Sequence, residues 1–103
     1  MRPSVKQLSQ MLVEMQIATK PFTAAQVKNG TANQCLSLGF GIFDETYGNN
    51  SHVYIRCLSS DVRDAIERYL ISRGVTSVNT AYWQGGPVLD VGVGYIKGSR
   101  WGA

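Results

Sequence analysis

The side chains suited to binding a charged ligand are dispersed along the chain and form no recognised motif. Arg56, Lys97 and Arg100 supply positive charge, Asn79 supplies an amide, and Trp83 supplies a flat ring. A nucleotide-like anion requires cations for its phosphate, an aromatic ring for its base and an amide for the edge of that base. The predicted ligand-binding residues are therefore Arg56, Asn79, Trp83, Lys97 and Arg100.

Arg56 is the residue of this set with the most informative surroundings. It lies within a predicted strand over residues 52–58, where alternation places His52 and Tyr54 on the same face. An arginine beside two rings suits a phosphate or a carboxylate. The competing interpretation, which the pattern slightly favours, is an ordinary sheet face exposed to solvent.

The chain contains little that is typical of catalysis. His52 has no acidic residue near it in sequence, and neither a nucleophile elbow nor a phosphate-binding loop is present. The pairs Gly39-x-Gly41 and Gly92-x-Gly94 lack the third glycine of a dinucleotide fingerprint and lie inside predicted strands. We therefore expect a protein that is not an enzyme and uses no cofactor.

Composition is that of an ordinary globular domain. Apolar residues make up 44% of the 103 residues and charged residues 17%, with a formal net charge of +3. No apolar run is long enough to span a bilayer, and the start lacks a signal-peptide core, so we expect a cytoplasmic protein without membrane contact. Cys35 and Cys57 are then expected to be free thiols, and one histidine with no Cys-x-x-Cys predicts no metal site.

Two helices are predicted from apolar residues that recur at helical spacing. The first covers residues 5–18 with Ser4 as its cap, and the second starts at residues 59–61 and stops at Arg73 and Gly74. The predicted strands cover residues 22–28, 34–43, 52–58, 75–83 and 88–97.

The first of these strands depends on the hairpin signal Asn29-Gly30, because residues 22–28 have weak strand propensity. A short helix over residues 23–28 is the alternative, and residues 44–50 are predicted to be a loop. The prediction is one α+β domain over residues 1–103. Two helices pack on a mainly antiparallel sheet of about five strands, in the order α-β-β-β-α-β-β.

Glycines leave one face of two predicted strands nearly bare. Gly39 and Gly41 share this face in one strand, and Gly92 and Gly94 share it in another. Glycine inside a strand often marks close approach of another backbone or of a ligand. We therefore expect the helices to cover one sheet face, and a ligand or a second protomer of a homo-oligomer to contact the other.

One region of the chain begins with Val27-Lys28-Asn29-Gly30-Thr31 and is followed by the alternating strand Leu36-Ser37-Leu38-Gly39-Phe40-Gly41-Ile42. This region resembles small phage-encoded accessory proteins. Among these it is similar to the signal sponges that counter the Thoeris defence. The resemblance implies an oligomeric, non-catalytic protein that sequesters a cyclic ADP-ribose-like messenger with arginines, an aromatic residue and an asparagine. The five predicted residues come from residue type and placement, and not from this resemblance.

These observations predict a non-enzymatic, phage-type anti-defence protein that sequesters an anionic, cyclic nucleotide signal in the host cytoplasm. The alternative is an inhibitor module like the anti-CRISPR proteins, binding a host protein or a nucleic acid through the sheet or the basic tail. A structural phage component is a third option, and it predicts oligomers without a ligand.

Overall fold

The computed structural model describes residues 1–29, 42–47, 50–83 and 85–94, without the side chains of residues 42–50 and Trp83. Three helices and four strands lie in these ranges. The helices are α1 (Val5–Glu14), α2 (Ala24–Lys28) and α3 (Ser60–Ser72); the strands are β1 (Ile42–Tyr47), β2 (Asn50–Arg56), β3 (Val78–Trp83) and β4 (Gly86–Val93). The sheet has the order β1-β2-β4-β3, and every pairing is antiparallel.

The predicted arrangement of two helices and about five strands is wrong. The order is α-α-β-β-α-β-β, because α2 lies where the first strand was predicted. Thr23 and Gln26 form a capping box, in which each side chain accepts a hydrogen bond from the other residue's backbone N–H. Asn29 ends α2 in a right-handed conformation (φ −89°, ψ −1°), and not in the positive φ of the expected hairpin turn.

A second error concerns residues 44–50, predicted as a loop. Residues 44–47 belong to β1 and residue 50 begins β2, with Tyr47 opposite Asn50. β1 is at an edge of the described sheet, where polar residues are tolerated on a strand. The predicted strand over residues 34–43 lies outside the described residues except for its last two, which belong to β1.

The hydrophobic core lies between the helices and one face of the sheet. Alternate residues of the two central strands, Val53, Ile55, Leu89, Val91 and Val93, are fully buried in it. Fully burying such a side chain stabilises the fold by roughly 1.5–3 kcal/mol. The helices contribute Leu8, Leu12, Ile66 and Leu70 to the same cluster.

Helices α1 and α3 start where their capping residues predict. The Ser4 hydroxyl accepts from the Gln7 N–H, and the Ser59 hydroxyl accepts from the Val62 N–H. α3 stops before Gly74, whose φ of +88° is the left-handed value that glycine adopts without strain. α1 ends earlier than predicted, because Gln16 has a φ of 64° and breaks the helical path. In the described ranges, no helix has both the length and the apolar character needed to cross a membrane.

Candidate functional site

The sheet surface opposite the helices has a polar character, and we call it the polar sheet face. It is formed by His52, Tyr54 and Arg56 of β2, Asp90 of β4 and Asn79 of β3. Residues paired across an antiparallel sheet project to the same side, and Tyr54 and Asn79 are both opposite Asp90. The register therefore brings together side chains from three strands that are distant in sequence.

A histidine–carboxylate pair is the closest contact on this face. His52 Nδ1 lies 2.8 Å from Asp90 Oδ1, and the side chains are 27% and 21% exposed. The carboxylate fixes the imidazole orientation and leaves Nε2 as the ring nitrogen directed elsewhere. Sequence reasoning did not find this pair, since the partners are 38 positions apart. Only the β2–β4 register identifies it.

Tyr54 and His52 form a small aromatic surface. They are two positions apart on β2, and their ring centroids lie 6.3 Å apart with an angle of 22° between the planes. Both side chains are half-buried, so one part packs on the sheet while another part meets solvent. Such a surface suits stacking by a planar ring.

Two of the five predicted binding residues lie on the polar sheet face. Arg56 is half-buried, with its Nε atom shielded from solvent, and Asn79 is exposed. β4 separates them by two strand spacings, about 10 Å across the sheet. Val88, which pairs with Arg56 on this face, is fully buried. The structure thus places a cation and an amide on one surface at a separation that a single small ligand can span.

The other three predicted residues are not placed on this surface. The Trp83 backbone pairs with Gly86 at one end of the sheet, and its side chain lies outside the description. Lys97 and Arg100 also lie outside the described residues. Their part in ligand binding stays a prediction.

The glycine face is not open at Gly92. A Cβ atom there would lie 3.0 Å from Arg2 Nη1 and 3.0 Å from Ser77 Cβ. Arg2 is held by two backbone carbonyls, with Nε 2.6 Å from the Val93 oxygen and Nη2 3.0 Å from the Ser51 oxygen. The group covering Gly92 is therefore an arginine of the same chain, where sequence reasoning expected a ligand or a second protomer.

Cys57 does not belong to this surface. It is 5% exposed in the core cluster, and burial raises the pKa of its thiol to about 11, against a smaller lowering by the Arg63 charge. A thiol with this pKa stays protonated at neutral pH and is a poor nucleophile. Within the described ranges no group of three or more histidine, cysteine, aspartate or glutamate residues could hold a metal ion.

Comparisons with protein-family models, curated proteins and solved structures find no match. The fold and the polar sheet face are consequently the observations from which a function is inferred. The resemblance to the Thoeris signal sponges gains no support from these comparisons and stays a hypothesis.

Proposed function

We propose that the protein is a non-enzymatic binding protein that sequesters an anionic, nucleotide-like molecule on the polar sheet face. The observation that supports this most is the common surface of Arg56, the His52–Tyr54 ring pair and Asn79. It offers a cation, an aromatic surface and an amide within the width of three strands. These are the three kinds of contact that a nucleotide needs.

The charges on the face assign an orientation to the ligand. Arg56 binds the phosphate, because a guanidinium matches phosphate oxygens in a two-point contact. Asp90 repels a phosphate, so the phosphate lies at the Arg56 end and the base lies over the rings beside Asn79. Arg2, the cation that covers Gly92 opposite His52, borders the other end of the face. There the Asn79 amide both donates and accepts hydrogen bonds at the base edge, and the Asp90 carboxylate accepts them.

The experiment is a thermal-shift screen against cyclic and linear nucleotides, with short DNA and RNA for comparison. A ligand at a hundred times its Kd stabilises by about 2.7 kcal/mol and raises the Tm of a domain this size by roughly 10 °C or more. We expect a selective shift with a cyclic nucleotide, and mass spectrometry of the recovered ligand should show it unchanged. Turnover of the ligand would contradict a non-enzymatic role.

Two matched variants locate the site. Arg56→Gln should abolish the ligand-induced shift, whereas Arg68→Gln, at an exposed position of α3, should leave it unchanged. The quantity compared is the shift on adding ligand to each variant, which removes any effect of a variant on its own Tm. Equal shifts in both variants would contradict the assignment to Arg56.

The biological context of this proposed function is taken from the resemblance to the Thoeris signal sponges. We infer a phage-type anti-defence protein that acts as a homo-oligomer in the host cytoplasm, with the nucleotide signal as its small-molecule partner. Light scattering coupled to gel filtration tests the assembly, and a monomer at micromolar concentration would contradict it.

One observation favours the alternative of a protein-binding inhibitor. Leu58 is 67% exposed and Tyr82 is 66% exposed. Tyr82 pairs with Pro87 across β3 and β4, and Leu58 follows Cys57, whose N–H donates to the Pro87 carbonyl at the same end of the sheet. Exposed apolar side chains grouped at one end of a sheet are typical of protein interfaces. If no nucleotide binds, replacing Leu58 and Tyr82 by serine should abolish capture of the host target.

A further inference from the structure

A cavity separate from the polar sheet face lies between the starts of α1 and α2 and the end of β4. Its volume is about 760 Å³, and Val5, Phe22 and Gly94 are among its lining residues. That volume is within the usual range for small-molecule sites, about 300–1,000 Å³. It shares no residue with the polar sheet face, so it is an independent feature of the molecule.

The cavity wall is held in place by specific contacts. Phe22 is 3% exposed, and its backbone N–H donates to the buried Ser9 hydroxyl at 2.7 Å. The Gly94 N–H donates to the Pro3 carbonyl at 2.9 Å, which fixes the strand end against the start of α1. These two contacts join the base of the cavity to α1 and to the segment that precedes it.

The described lining combines an apolar surface with positive charge. Pro21, Ala24 and Ala25 supply exposed apolar contact above the buried Val5 and Phe22, and Lys6 and Lys28 are the charged residues of the described lining. The described lining contains no carboxylate to neutralise them. Burying an apolar body here removes it from water, while an anionic group pairs with the ammonium groups.

We propose that this cavity binds a small monoanionic amphiphile, with its apolar body against Pro21, Ala24 and Ala25 and its anionic group at Lys6 and Lys28. Charge complementarity selects an anion over a cation of the same shape, and the apolar wall selects an amphiphile over a simple anion. The ligand class differs from the nucleotide proposed for the polar sheet face, and neither proposal depends on the other.

The test is calorimetric titration of the full chain with dodecanoate, with dodecyltrimethylammonium as the cationic control of equal chain length. We expect saturable binding of one dodecanoate and at least tenfold weaker binding of the cation. Amide shifts in an NMR spectrum should be concentrated at residues 4–6, 21–28 and 94. Equal binding of both amphiphiles, or no saturable binding below the critical micelle concentration, would overturn the proposal.

Two pairs of variants sharpen this result. Lys6→Gln with Lys28→Gln should weaken dodecanoate binding about tenfold. Arg68→Gln with Arg73→Gln removes the same charge at exposed positions outside the cavity lining and should leave dodecanoate binding unchanged. Ala25→Trp fills the cavity and should abolish binding, whereas Gln10→Trp on exposed α1 surface should not. An unchanged Kd in both cavity variants would overturn the proposal, and the circular dichroism spectrum and Tm of each variant show that it is folded.

Discussion

The two faces of the sheet, formed by alternate residues of the same strands, differ in what determines their composition. On the helix side, Val53, Ile55 and Leu89 are fully buried. On the other side, His52 and Arg56 are only half-buried. The helix-side face must be apolar for the chain to fold, whereas the other face combines the buried Val88 with polar side chains that stay partly exposed. Its combination of charges and rings is therefore the better guide to function.

The largest expected effect tests whether the buried face alone determines stability. Leu89→Ala removes a fully buried side chain beside the core helices and should reduce the free energy of unfolding by about 2–5 kcal/mol. Asn79→Ala, on the exposed side of β3, should change it by less than about 0.5 kcal/mol. Urea denaturation followed by circular dichroism measures both. A large loss in Asn79→Ala would make the polar sheet face a structural element.

An intermediate effect is expected at Gly92, which lies opposite His52 on the polar sheet face and is covered by Arg2. The added methyl group of Gly92→Ala meets Arg2 and Ser77 at 3.0 Å and should cost about 1–3 kcal/mol. Gly94→Ala is the matched control, because its Cβ meets only Ser4 Cα, at 4.0 Å. In an Arg2→Ala background, the cost of Gly92→Ala should fall. Equal unfolding energies for the two glycine variants would show that Arg2 does not cover Gly92.

A smaller effect is expected from the pair on the polar sheet face. A double-mutant cycle of His52→Ala and Asp90→Ala should give a coupling energy of about 0.5–1 kcal/mol, since both groups are partly exposed. Chemical denaturation at neutral pH measures the four proteins of the cycle. Zero coupling would mean that the two side chains act independently in solution.

The smallest effect concerns a contact remote from both faces. The Tyr69 hydroxyl donates to the Glu14 carboxylate at 2.8 Å and Arg73 also pairs with it, and these contacts hold the pKa of Glu14 below its usual value. A lowered folded-state pKa stabilises the protein above the unfolded-state pKa, and that contribution disappears as the pH falls through the folded-state value. Tyr69→Phe should raise the pKa of Glu14 in a carbon-detected NMR titration, whereas Tyr82→Phe should not.

Capping residues visible in the sequence were sufficient to predict helix ends that depend on local interactions. Ser4 and Ser59 mark the starts of α1 and α3, and Gly74 marks the end of α3, because capping depends on neighbouring residues. At α2 two local signals competed, and the capping box of Thr23 and Gln26 overrode the Asn-Gly turn.

The candidate site was predictable only in part, because its members meet through strand register. Arg56 and Asn79 were selected by residue type, but their common face depends on the pairing of both strands with β4. The His52–Asp90 contact and the covering of Gly92 by Arg2 join residues 38 and about 90 positions apart. No local pattern signals such contacts, and the same is true of the cavity beside Lys6 and Lys28.

The position of β4 has a consequence for how the chain matures during translation. It is the last described strand in sequence, yet it lies between β2 and β3 in the sheet. The Arg2 side chain also depends on β4, since its hydrogen-bond acceptor, the Val93 carbonyl, is 91 positions away in sequence. A nascent chain that has not yet released β4 from the ribosome exit tunnel therefore cannot join β2 to β3. The hairpin of β1 and β2 can form earlier, but the four-stranded sheet is completed only when β4 is free to pair with both neighbours.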